Sequence, residues 1–240
     1  MSELIFDGHS FDELFYYGNP ELSILSSNAK YAQSENRNGS VFIGKTWANS
    51  QVSFSIATIG TAEERRAALS TLGQWLDVDE PKKLILPDTP DLYYMAVPNG
   101  SVDLTRYCDS ETASVTFDIV DPIAYGREVE ITVPSGGSVT FHVGGTYKTR
   151  PQISATATRN SSSLVYGLKL DNASYVHVAT GSASARNVAI DCDKRTCVVN
   201  SSVSMITLDS NWLELEPGGH TLAMDNGTGA ATVTFRERWL

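Results

Sequence analysis

A single capped helix stands in a chain that otherwise reads as short strands and turns, and that contrast narrows the fold more than any other feature. Thr61 with Glu64 fits a capping box, in which the threonine hydroxyl takes the Glu64 amide while the carboxylate reaches back. Glu63 and Glu64 also sit where the helix dipole favours negative charge. Ala68, Leu69, Leu72, Trp75 and Leu76 recur at helical spacing and make one apolar face, with Arg65 and Arg66 outside it; Asp77 and Pro81 mark the end. The spacing predicts a helix over about residues 62–76. Beyond it lie the short apolar run Leu84-Ile85-Leu86 and a connector, Pro87-Asp88-Thr89-Pro90-Asp91, stiffened by its prolines. Leu92 to Val97 reads as a strand, Asn99-Gly100 as a hairpin turn, Val102 to Tyr107 as the return, and Ala113 to Val120 as a half-buried strand ending at Asp121-Pro122. On physical grounds this is a small helix packed on an antiparallel sheet, with Trp75 and the tyrosines as core or interface anchors.

The flanking regions are β-like. Among the first sixty residues, Leu4-Ile5-Phe6, Leu22 to Leu25 and Val52 to Ile59 are strand candidates, and the last alternates apolar and polar residues. Between them Ser26 to Trp47 is polar, with Asn36-Arg37-Asn38-Gly39 at its centre; it reads either as an arm pairing with a neighbouring subunit or as an ordinary loop. From Arg127 onward helical periodicity disappears, and short strand candidates alternate with turns such as Pro134-Ser135-Gly136-Gly137 and Asp225-Asn226-Gly227, the pattern of a β-sandwich. The composition shift between Gly126 and Ser138 divides the chain into residues 1–133 and 134–240. The predicted class is mainly β: a helix packed on an antiparallel sheet, then a β-sandwich.

At 240 residues, two domains are favoured over one. The net charge of −10 argues against nucleic-acid binding, which needs a basic stripe, and against docking on an anionic membrane. No apolar run approaches the length of a membrane span, and the N-terminus lacks the layout of a signal peptide, so folding in a cytoplasm is expected. Cys108 reads as a small buried residue. Cys192 and Cys197 flank a hairpin-like loop and face either each other or the core; reduced thiols are expected in a reducing compartment. Six Asn-x-Ser/Thr triplets, at Asn38, Asn99, Asn160, Asn172, Asn200 and Asn226, read as turn chemistry.

Catalytic signatures are missing. Gly136-Gly137-Ser138 has neither the glycine spacing nor the lysine of a phosphate cradle, and His9, His142, His177 and His220 are too scattered to make a metal motif. A serine, histidine and aspartate converging in space would leave no trace in so serine-rich a chain. No catalytic residue, cofactor or metal is therefore assigned. The one binding reading left is a saccharide site, in which exposed aromatics stack on sugar rings. Tyr147, Tyr166, Tyr175 and Trp212 are the candidates for saccharide or partner contact, with core packing the commoner fate of such residues.

The order of parts from Thr61 to Tyr125 resembles the distal tail protein family of bacteriophages with long non-contractile tails. The similar features are Arg66-Ala67-Ala68-Leu69 with Gln74-Trp75-Leu76, Lys83-Leu84-Ile85-Leu86, Pro87 through Tyr94, and Asp121-Pro122 with Tyr125. Phe6-Asp7-Gly8 with Phe11-Asp12-Glu13-Leu14 resembles the family's opening, and Gly144-Gly145-Thr146-Tyr147-Lys148-Thr149-Arg150-Pro151 the start of its second domain. Ile190 through Val198 resembles a late hairpin, Trp212 through His220 a turn in which His220 replaces an expected asparagine, and Phe235 through Leu240 the ending. The resemblance implies a structural protein rather than an enzyme, with an N-terminal β-sandwich carrying one α-helix. Six copies of the N-terminal domain are expected to close into a ring at the tip of the tail tube. A galectin-like (jelly-roll) C-terminal domain would point outward and offer a platform to receptor-binding proteins. The implied partners are the tail tube protein above and the tail-associated lysin or spike hub below, with DNA passing through the lumen. The implied location is the virion tail tip, reached from the host cytoplasm. A carbohydrate-binding adhesion module of a phage or prophage baseplate is the alternative. The polar Ser26–Trp47 arm suits a strand donor to the next subunit, and the acidic balance suits a lumen that repels phosphate.

Overall fold

In the computed structural model, which describes residues 3–23, 27–33, 38–102, 104–106, 110–158, 165–179 and 185–240, the capped helix α1 runs Ala62–Leu76. Its capping box is closed: the Thr61 backbone N–H donates to the Glu64 carboxylate at 2.8 Å, and the Glu64 N–H donates to the threonine hydroxyl at 3.3 Å. Ala68 and Leu72 are buried, and Leu69, Trp75 and Leu76 pack beside them. Arg65, outside the apolar face by spacing, is drawn inward as well. Its guanidinium reaches the Gly60 carbonyl and lies 3.9 Å from the Glu111 carboxylate, so a charged side chain helps seat the helix.

The chain divides into two units, Met1–Ala124 with Leu240, and Tyr125–Trp239. In the first, nine strands hydrogen-bond into one sheet whose recorded pairings are all antiparallel. Its spine is the pair Ser50–Ile59 and Ser110–Ile119, matched from Ser50 opposite Ile119 to Ile59 opposite Ser110. The alternation seen in the sequence becomes alternating burial along both strands, with Val52, Phe54, Ile56, Val115 and Phe117 turned to the core. There Phe6 meets Phe117 at 4.7 Å between ring centroids, and Phe11 stands edge-on to both Phe54 and Trp75.

One expectation fails in this unit. The strand Tyr94–Pro98 does not turn back on the following segment; it lies between Lys82–Ile85 and Ser110–Ile119, while Leu104–Arg106 pairs with Glu111–Ala113. A type I′ turn requires left-handed backbone at both central residues, and here only Gly100 has it, at φ +87°. Asn99 is instead stitched to the neighbouring strand, its amide side chain donating to Asp118 at 2.7 Å and its backbone N–H to the Thr116 carbonyl at 2.9 Å.

The second unit packs a six-stranded sheet and a four-stranded sheet around one core that includes Ile153, Leu168, Val176, Val178, Ile190 and Val233. It begins earlier than the expected division at residues 133 and 134. Ala124–Val133 is one continuous strand of the six-stranded sheet, next to Ala231–Trp239, so the glycine-rich shift after Val133 marks a turn inside the unit. Leu213 and Leu215 are fully buried on a segment held by reciprocal backbone bonds between Thr149 and Leu215. Cys192 and Cys197 are both free and buried, and burial pushes the Cys192 thiol up to about 11, which makes it an inert core residue. Cys108 lies outside the described residues.

Gly144-Gly145 has a steric purpose. Gly145 sits at φ +96°, and a Cβ there would fall 2.1 Å from the Arg238 carbonyl oxygen. That oxygen accepts from both the Thr146 and Tyr147 N–H groups, at 2.9 and 3.1 Å. A Cβ on Gly144 would meet the Glu237 carboxylate at 2.4 Å. The two glycines let the chain pass hard against the last strand of its own unit.

Candidate interaction surfaces

The polar stretch between Ser26 and Trp47 forms a β-hairpin whose strands, Ser27–Gln33 and Ser40–Trp47, pair with each other as a two-stranded sheet and, among the described residues, with no further strand. Asn36 and Arg37, at its expected centre, lie outside the described residues. Every described strand residue but Gly44 is exposed, including Tyr31 at 60%, Phe42 at 58% and Ile43 at 65%. Tyr31 and Phe42 stand opposite each other in the ladder with rings 5.9 Å apart. An isolated two-stranded hairpin is marginal in water, and one showing three large apolar side chains is built to be covered.

The second unit carries its polar groups differently. Glu214 takes Lys148 at 2.6 Å and Arg150 at 2.7 Å, which hold its carboxyl below the usual range and tie the Gly144–Pro151 lead-in to the buried Leu213–Leu215 segment. Buried Glu237 accepts from the Gly144 N–H and from two guanidinium nitrogens of Arg127. His220 places one ring nitrogen 2.6 Å from Asp171 and the other 2.7 Å from the Glu216 carbonyl. Burial lowers the basicity of this imidazole, but the hydrogen bonds to Asp171 and Glu216 outweigh it and leave the pKa raised. Burial likewise opposes the charge on Asp171, and the Thr221 N–H and His220 more than offset it, leaving that carboxyl lowered.

A serine, a histidine and an aspartate do converge, at Ser210, His177 and Asp209. The grouping is not a nucleophile with its base, because both ring nitrogens of His177 face carboxylates, Asp209 at 3.3 Å and Asp225 at 2.8 Å. The Ser210 hydroxyl bonds to the histidine backbone instead, accepting from its N–H at 2.8 Å. The result is a polar pin holding the Thr207–Asn211 turn to the four-stranded sheet. Among the described residues no group of three or more His, Cys, Asp or Glu side chains can hold a metal ion, and no helix is long and apolar enough to cross a membrane.

The four aromatics singled out in the sequence do not form one site. Tyr166 is core, 1% exposed, its hydroxyl donating to the Gly229 carbonyl and its pKa pushed up to about 12 by burial. Tyr175 lies on the outer strand of the four-stranded sheet beside His177, and Tyr147 is half-buried on the glycine lead-in, bonded to Arg238. Trp212 lines a groove of ≈ 610 Å³ that also takes in Arg195, Cys197, Val203, Met205 and Ile206. A shallower groove of ≈ 290 Å³ on the open face of the six-stranded sheet has Gln152, Ser154, Asp191, Thr196 and Thr234 in its wall and no aromatic residue. The signal that sequence reading missed is the alternating pair Val203 and Met205, exposed at 90% and 83%, whose spacing is indistinguishable from that of a half-buried strand.

The protein is thus mainly β and of two units, with an exposed hairpin arm on the first and a double sheet as the second. Comparison with known proteins gives the class. The model of the siphovirus-type tail component, C-terminal domain, matches residues 144–239, and that of the phage tail protein RIFT-related domain matches residues 9–119. Together they take in most of the chain, which belongs to the siphophage distal tail proteins. The fold is that of the crystal structure of Dit (gp 19.1) of phage SPP1, described as a paradigm of the hub adsorption apparatus in phages infecting Gram-positive bacteria. That match has TM-score 0.80, 18% identity and full coverage of both chains. The phage p2 baseplate in its activated conformation with strontium is more distant, at TM-score 0.45 and 13% identity over 93% of this chain and 91% of that one. No curated protein matches the sequence. Family and fold are those of structural components of the phage tail and its baseplate, which makes the protein a part of the virion.

Proposed function

We propose that this protein is the distal tail connector of its phage. Six first units close into a ring at the end of the tail tube, and the second units project from it toward receptor-binding and other baseplate proteins. The lysin or spike hub attaches below, and DNA leaves through the bore. The observation that carries the reading is the bare hairpin Ser27–Trp47, whose Tyr31, Phe42 and Ile43 are exposed in a single copy and gain cover from a neighbour. Strand or hairpin donation from each copy to the next makes a head-to-tail interface, the kind that closes by rotation.

Charge supports the same reading. Residues 1–124 hold 18 acidic and 8 basic side chains, whereas residues 125–240 hold 10 of each. The whole net charge of −10 therefore belongs to the first unit, which suits the wall of a conduit that must not bind passing phosphate. Light scattering with negative-stain imaging tests the ring. Wild type should give six-fold rings, and a variant carrying Tyr31→Ser, Phe42→Ser and Ile43→Ser should give monomers with an unchanged circular-dichroism spectrum. Rings that survive in the triple variant, or a wild type monomeric at every concentration, would overturn the arm-closed ring; a neutral or basic bore would overturn the conduit.

A further inference from the structure

We infer that the edge strand Ser202–Ser204 of the second unit is an acceptor for an extended, acid-bearing peptide segment of another protein, which adds a seventh strand to the six-stranded sheet beside the Trp212 groove.

Three observations meet at this edge. First, Ser202–Ser204 is the last strand of its sheet, paired on one side with Cys197–Val199 and on the other with no strand among the described residues. Such an edge presents backbone donors and acceptors to an incoming chain, and proteins normally guard it with lysine, proline or an inward charge. Ser202-Val203-Ser204-Met205-Ile206-Thr207 carries none of these.

Second, the side chains at this edge are apolar and open to solvent: Val203 is 90% exposed, Met205 83% and nearby Leu208 108%. Val203 stands directly opposite Val198, itself opposite Ala189, which faces Ser154 in turn, so one rung of small side chains runs across four strands of the sheet and stops at the edge. A further strand continues that rung, and its alternate side chains drop into the ≈ 610 Å³ groove against Met205 and Trp212.

Third, the groove has a charge at its rim. Arg195 lines it, is exposed, and forms no ion pair among the described residues, whereas Arg150 is matched to Glu214 and Asp193. Its backbone is left-handed, at φ +54°, which fixes the direction in which the residue leaves the hairpin turn. The occupant is therefore an extended segment with apolar residues at every second position and a carboxylate placed to meet Arg195. A second copy pairing through the same edge supplies no such carboxylate, since Ser202–Thr207 has no acidic residue. The site lies wholly within the second unit and does not depend on ring closure.

The test uses the full-length protein and two labelled, capped peptides, Val-Ser-Val-Thr-Val-Thr-Asp, whose valines and aspartate share one face, and the same sequence with Lys for Asp, titrated by fluorescence anisotropy. The Asp peptide should bind at least about tenfold more tightly than the Lys peptide, and Arg195→Glu should reverse that order. Methylating alternate backbone nitrogens of the Asp peptide, or the double change Val203→Asp with Met205→Asp, should weaken binding by about tenfold or more. All three substituted side chains are on the surface, so the fold is retained, as circular dichroism would verify. Binding indifferent to backbone methylation, a preference unmoved by Arg195→Glu, or no saturable binding of either peptide would overturn the acceptor edge. Sedimentation showing that the wild type pairs with itself through this edge would do the same.

Discussion

The two units solve the same problem, a β-rich core in water, with opposite electrostatics. In the second, acidic and basic side chains are equal in number, and most carboxylates are matched across strands: Glu237 with Arg127, Glu128 with Arg236, Glu214 with Lys148 and Arg150, Asp171 with His220, and Asp209 and Asp225 with His177. In the first, acids outnumber bases by more than two to one, and the ion pairs among the described residues include Glu111 with Arg65 and Arg106 and Glu80 with Lys82. The difference teaches where each unit spends its charge. Internal pairing makes the second unit self-sufficient, whereas uncompensated charge on the first repels its own parts and is worth keeping only if something outside benefits.

The comparison breaks most visibly at the glycine lead-in. Gly145→Ala puts a methyl group into the Arg238 carbonyl in a left-handed backbone, and should cost the second unit about 3 kcal/mol while leaving the first unit's unfolding in place. Differential scanning calorimetry should show one transition falling and the other standing still; a common shift would mean that the units unfold together. Next in size is Glu214→Ala, which leaves Lys148 and Arg150 facing each other without their carboxylate. The cluster is about one-third exposed, so the expected loss is about 1 kcal/mol, read as an earlier urea midpoint for the second unit alone.

Salt sharpens the contrast from the other side. Raising the salt concentration screens the repulsion within the first unit and should raise its melting temperature by roughly 3 °C, with the second unit flat or slightly lowered. Equal responses would mean that the acids of the first unit are too far apart to matter.

The smallest effect concerns His220. Its folded pKa is raised, so its contribution to stability is fully present below the ordinary histidine value and is lost as pH rises through the raised one. Asp171 is lowered, so its contribution is present above the ordinary aspartate value and fades only as pH falls through the lowered one. Above the ordinary histidine pKa, the wild type should therefore lose ground relative to His220→Gln as pH is raised. A pH-independent difference would place the role of the residue in shape alone.

Local chemistry was legible in the sequence, and long-range pairing was not. The capping box at Thr61 and Glu64, the helix face through Trp75, and the alternation from Val52 to Ile59 are written within a few residues and appear in the fold as read. Asn99-Gly100 misled because the side chain of Asn99 is claimed by Asp118, nineteen positions on, which no local pattern reveals. Arg65 was placed in solvent by its angle on the helix, yet Glu111 on another strand draws it down. Among the surface candidates, Tyr166 looked like any other tyrosine until the sandwich closed over it. The hairpin arm was visible only as an overlong polar stretch, because its apolar residues are few and the uncovered state of Tyr31 and Phe42 is a property of the tertiary fold.

The close passage of Gly145 beneath Arg238 also fixes where the second unit begins and ends. Its first strand, Ala124–Val133, and its last, Ala231–Trp239, are neighbours in the same sheet, and Gly126 leaves room for the Trp239 ring. Start and finish therefore share one stem, as they do in domains that tolerate transplantation. The first unit leads into this stem at a single crossing, from Ala124 to Tyr125, which makes the second unit a cassette: exchanging it between tail proteins asks only that this one crossing be matched, and leaves the charge pattern and the arm of the host unit untouched.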